Sequence, residues 1–181
     1  MTTPALQPPY IVRELDPLKV QEFQERLRAE QNPLLGLLAG GVAAIVGAVL
    51  WAIVTVITNY QIGWIAIGVA FIVGWAIRTF GKGVDKFYSL MGAGLAVLSV
   101  VLGNLLMIAV LLARQESYSL LTVLSAMLLN PTIDVRLLAE NFSVMDLLFY
   151  GFAVYYGYRY SLRRITAAER ETLYRQRTVI S

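Results

Sequence analysis

The sequence predicts an all-α integral membrane protein with four transmembrane helices, accompanied by short interfacial and cytoplasmic helices. Three observations carry that expectation. Hydrophobic residues make up 57% of the 181 residues and charged residues only 15%, against roughly 25% charge in a soluble domain. The apolar residues collect into four long runs. The basic residues collect at the ends of those runs, and on alternate sides.

The first element is a polar arm, residues 1–33. Met1 to Pro9 carries three prolines and is expected to be extended. It lacks both a basic n-region and an apolar h-region, so the first apolar run is expected to remain as an uncleaved anchor. Asp16-Pro17 supplies an N-cap and a proline at the first helical position. A helix to about Glu30 would put Val20, Phe23 and Leu27 on one face, with Glu22–Arg26 in the favourable i,i+4 order. Asn32-Pro33 ends it. This arm reads either as a solvated helix near the headgroups or as a docking surface.

The spans come next, at about 34–58, 62–80, 87–113 and 144–162, in a membrane domain of residues 34–162. Leu34 to Thr58 carries no charge over 25 residues, ample for a hydrocarbon core of about 30 Å at 1.5 Å per residue. Gly36, Gly40, Ala44, Ala48 and Ala52 recur every four residues, a ridge that lets another backbone come close. Ala66, Ala70 and Gly74 continue the spacing in the second span, and Gly92, Ala96 and Gly103 in the third. Asn59-Tyr60-Gln61 makes the first two spans an antiparallel pair. The turn from Gly81 to Lys86 does the same for the second and third. Residues 114–143 form an outer loop. Its apolar stretch Ser119 to Leu129 is too short to cross, which suggests an interfacial or re-entrant helix, and Ile133 to Glu140 adds a short polar one. Ser143 and Asp146 form a capping box at the start of the fourth span. A basic tail, residues 163–181, follows. In it Thr166 and Glu169 form another box, opening a helix to about Gln176.

Charge distribution orients the bundle. Of the 15 lysines and arginines, 13 lie in the N-terminal arm, the central turn and the tail, and only Arg114 and Arg136 lie on the other side. Four spans with both termini cytoplasmic satisfy the positive-inside rule, whereas three or five would spoil it.

Composition removes several chemistries. The chain has neither cysteine nor histidine, so thiolate chemistry and the commonest metal ligand and general base are absent. No nucleophile–base pair can be assembled, and no catalytic residue, cofactor or metal site is assigned. Gly81-Lys82-Gly83 suggests a phosphate cradle, but a P-loop needs four residues between its glycines and Ser or Thr after the lysine. Arg78, Lys82 and Lys86 instead suit lipid headgroups. Asn104, inside the third span, reads as helix–helix glue or as a solute contact. Asp146 reads as an interfacial cap rather than a proton relay. Phe149, Phe152, Tyr156 and Tyr160 share one helical face of the fourth span. With Tyr150 they suggest packing, an interfacial belt, or contact with a lipid, quinone or pigment. The basic residues flank spans, so nothing points to nucleic acid.

The run GWIAIGVAFIVGWAIRTFGKGVDKFYSLMGAGLAVLSVVLGNLL, with FSVMDLLFYGFAVYYGYR, resembles an uncharacterised family of small four-span bacterial inner-membrane proteins. The resemblance spans roughly residues 32–160 and is sharpest at the GKG turn and at MDLLFYG. It implies the topology and the membrane, and carries over no activity and no functional residue. Members of that family often have cysteine near the position of Val101, which this chain lacks, so no redox role transfers. The functional expectation is a non-enzymatic structural or accessory subunit of a membrane complex or homo-oligomer. Its partners would be membrane lipids, other membrane subunits or copies of itself. The alternative is a small channel or transporter for a neutral or lipid-like solute.

Overall fold

The structure, a computed structural model, describes residues 10–60 and 63–179. The expected extended start at Met1 to Pro9, and the junction Gln61-Ile62 between the first two spans, lie outside the described residues. The chain divides into two units, one made by both ends of the chain and one by residues 31–163.

The second unit is a helical bundle, and its elements begin where local chemistry starts them. Helix α2 (Pro33–Thr58) is capped by Asn32, whose side chain accepts from the Leu35 N–H at 3.0 Å. It ends at Asn59, in the left-handed region at φ 54°. Helix α3 (Gly63–Gly81) runs into the basic turn, and α4 (Lys86–Gln115) leaves it. Helices α5 (Leu120–Leu129) and α6 (Pro131–Glu140) meet at Asn130-Pro131 with a bend of 106°, because proline at the first position of α6 cannot continue the ladder of α5. Helix α7 (Val144–Tyr160) closes the bundle.

Helices α3 and α4 form the middle of the bundle, with α2 packed against both on one side and α7 against both on the other. The two outer helices meet where the Trp51 and Phe149 rings touch edge to face with centroids 5.5 Å apart. Alanines 44, 48, 52, 66, 70, 96 and 153 are buried along these seams, around Trp51, Val73, Ile77, Tyr88 and Val100. Leu34, Leu38, Val42, Ile45 and Ile57 of α2 face outward and are exposed. A helix apolar on both faces suits a hydrocarbon solvent, with small residues inside and large ones outside. Among the described residues, α2, α3 and α4 are long and apolar enough to cross a membrane, and the bent pair α5–α6 would make a fourth crossing if taken as one span. Helix α7, at 17 residues, reaches about 25 Å at 1.5 Å per residue, the short end of a spanning helix. It holds the fourth place in the bundle.

The chain ends form the other unit. Helix α1 (Pro17–Ala29) starts as predicted, with Asp16 accepting from the Leu18 N–H. Arg26 pairs with Glu30 at 3.2 Å rather than with Glu22. Two strands, β1 (Tyr10–Leu15) and β2 (Tyr174–Val179), pair antiparallel from Tyr10↔Val179 to Leu15↔Tyr174. The sequence reading contains neither strand. The helix expected from Thr166 to Gln176 therefore needs correction. Helix α8 (Ala167–Glu171) keeps the predicted Thr166–Glu169 box but stops after five residues, and its continuation becomes β2. The reason is long-range pairing, since the Asp16 N–H donates to the Leu173 carbonyl at 2.9 Å and Arg175 pairs with Glu14 at 3.7 Å. A weak helical propensity yields to a partner strand brought from the opposite end of the chain.

Candidate functional site

Polar side chains inside the bundle are the natural place to seek function, because hydrocarbon offers them no partner. Trp51 of α2, Asn104 of α4 and Asp146 of α7 are all buried there. Trp51 lies seven residues before the end of α2, roughly 10 Å in from that end at 1.5 Å per residue. Its Nε1–H donates to Asn104 Oδ1 at 2.7 Å. The Asn104 amide then faces Asp146 Oδ1 and the Tyr150 hydroxyl, both at 3.5 Å. The other carboxylate oxygen of Asp146 accepts from the Ser143 N–H at 2.8 Å and from the Ser143 hydroxyl at 3.0 Å. One short bond and two long ones thus tie three helices at one level.

The capping role foreseen for Asp146 is present, and the residue is buried within the bundle, 2% exposed. The end of α6 covers it, and Leu138, Asn141 and Phe142 share with it a void of about 10 Å³, room for about one water molecule. Phe142 stacks on Tyr150 at 6.2 Å. Sequence reasoning named Asn104 and missed Trp51. The signal available was a tryptophan deep inside a span, where its N–H must find an acceptor.

The small residues sit at helix contacts. A Cβ on Gly40 would fall 2.5 Å from Ile77, one on Gly74 2.8 Å from Tyr160, and one on Gly103 2.7 Å from Trp51. A Cβ on Gly92 would fall 1.7 Å from Ser161 Oγ and 2.5 Å from the Gly157 carbonyl oxygen. Gly157 and Gly47 hold equally tight places and were not singled out by spacing. Ala44 offers its carbonyl to the Ser99 hydroxyl at 2.7 Å, and Ala70 and Ala96 are fully buried.

The GKG turn joins three parts of the bundle. The Gly81 carbonyl accepts from the Asn32 N–H at 2.9 Å, and the Gly83 carbonyl from the Arg163 N–H at 2.8 Å. Neither glycine needs a positive φ; Lys82 has one, at 49°. The glycines are there for space: a Cβ on Gly83 would fall 1.9 Å from the Tyr88 ring. Lys82 and Lys86 are exposed and Arg78 is half-buried.

The predicted aromatic face of α7 divides. Phe149 enters the core, Tyr156 stacks on Tyr160 at 5.9 Å, and Tyr160 meets Phe71 of α3 edge to face at 5.0 Å. Phe152 is tilted against Tyr156 at 6.4 Å. An open apolar groove of about 840 Å³ instead runs along a different face, past Leu147, Tyr150, Gly151, Val154, Tyr158 and Arg159. Of the five aromatics named for packing, belt or lipid contact, only Tyr150 borders it.

Fold and site together define an α-helical membrane bundle fastened internally by glycine contacts and a buried polar cluster. No family model, curated protein or solved structure matches the chain.

Proposed function

We propose that this chain is a non-enzymatic multi-pass subunit of a larger membrane assembly, in a bacterial inner membrane with both termini in the cytoplasm. One observation carries the reading. Trp51, Ser99, Asn104 and Asp146 spend their hydrogen bonds on other parts of the same bundle, so these four polar groups fix helix positions. Large apolar side chains such as Leu147, Val154 and Tyr155 stay exposed on α7, available to lipid or to a neighbouring subunit. The 13-to-2 division of basic residues supports the orientation. Docking through Val20, Phe23 and Leu27 is the weaker part of the original expectation, since Leu27 is buried and the other two half-buried.

Gentle detergent extraction of the full-length protein from its native membrane tests this. A stoichiometric companion chain, lost when Val154→Lys is placed on α7 while the bundle keeps its thermal stability, is the expected result. Purification as a lone chain that moves a solute into liposomes would overturn it in favour of a small transporter for a neutral or lipid-like solute.

A further inference from the structure

An apolar cleft of about 280 Å³ opens between four helices. Ile45 and Val49 of α2, Leu102 and Leu106 of α4, and Leu124 and Met127 of α5 wall it. One charged residue borders it: Asp134, in the first turn of α6. Its Oδ1 is buried without a hydrogen-bond partner among the described residues. Arg136, two residues along the same helix, is turned to Glu140 at 3.9 Å. A carboxylate oxygen among leucines with no donor is costly, and ionisable groups against a membrane bundle ordinarily face a partner or a cavity.

We propose that this cleft binds a small cationic amphiphile, a primary amine on a short apolar body, with the ammonium on Asp134 and the chain along the leucine walls. Asp134 itself lines the cleft, so its carboxylate stands within reach of an ammonium seated there. An ammonium supplies charge-assisted donors, about twice as strong as neutral ones. A hydroxyl would leave the carboxylate charge uncompensated. The volume lies at the small end of ligand pockets, which start near about 300 Å³, so the apolar body is short. The site is independent of the subunit reading, since a lone chain would carry it equally.

The test uses the full chain in zwitterionic phosphatidylcholine nanodiscs, with empty discs subtracted and radiolabelled decylamine as the probe. Saturable binding is expected, competed by decylamine about tenfold better than by decanol and not by decanoate. Asp134→Asn should weaken decylamine about tenfold and remove that preference. Leu124→Trp, which fills the cleft and leaves the carboxylate, should remove the saturable component. Thermal stability of each variant separates lost binding from lost folding. If Asp134→Asn does not fold, the competition series on the unaltered protein and Leu124→Trp decide the matter. Equal competition by decanol, wild-type affinity in Asp134→Asn, or no saturable binding above empty discs would overturn the proposal.

Discussion

Two glycines of α4, two residues apart, offer a controlled test of how the bundle is held. A methyl group at Gly92 would come 1.7 Å from Ser161 Oγ and 2.5 Å from the Gly157 carbonyl oxygen, whereas at Gly94 it would meet nothing within 4 Å. Rotating Ser161 relieves the first clash. The second is with backbone and cannot be relieved that way. That rotation gives up the 2.6 Å bond from the Ser161 hydroxyl to the Gly157 carbonyl, and restoring an ordinary contact of 3.4 Å at the carbonyl requires α4 and α7 to part locally by roughly 1 Å. Overpacking of this kind costs about 1–3 kcal/mol. For a chain of this size that corresponds to a fall in midpoint of about 2–4 °C per kcal/mol. Gly92→Ala should therefore unfold about 2–12 °C lower in mild detergent, and Gly94→Ala should match or slightly exceed the wild type because alanine favours the helix. Adding Ser161→Ala to Gly92→Ala should recover only part of the loss, since the carbonyl remains. The assay is thermal denaturation followed by size-exclusion recovery. Equal midpoints for the two alanine variants would refute close α4–α7 approach as a source of stability.

Other consequences follow from the same geometry. Asn104→Leu strands the Trp51 N–H and one face of Asp146, and should cost about 1–3 kcal/mol. Combining it with Trp51→Phe should cost less than the two single changes added together, which a double-mutant cycle in detergent would show. Lys82→Gly relieves a left-handed residue and should raise stability by about 1 kcal/mol, whereas Gly83→Ala drives a Cβ into the Tyr88 ring and should lower it; both are read by thermal midpoint. The chain has no cysteine, so Lys86→Cys and Glu116→Cys give single labels. An impermeant thiol reagent on spheroplasts should reach Glu116→Cys and not Lys86→Cys, and the reverse would refute the orientation.

Much of this was legible in the residues themselves, and the reason is physical. A membrane-spanning helix satisfies its backbone internally, so long apolar runs, their caps at Asn32 and Ser143 and their breaks at Asn130-Pro131 are local properties written in consecutive residues. Small-residue spacing likewise marks a face of one helix, and Gly40, Gly74, Gly92 and Gly103 do lie at contacts. What a single helix cannot encode is which neighbour its face will meet. The meeting of Trp51, Asn104 and Asp146 depends on three spans brought to one depth, and the burial of Asp146 depends on α6 folding back over it. The β1–β2 ribbon joins residues from opposite ends of the chain, so no local pattern near Tyr174 could outweigh its helical signal. The unpartnered oxygen of Asp134 becomes visible only once four helices enclose a cleft beside it. The sequence alone determined the apolar spans of the bundle and their small-residue faces; the tertiary structure decided which polar groups meet, which remain without a partner among the described residues, and that the tail ends in a strand.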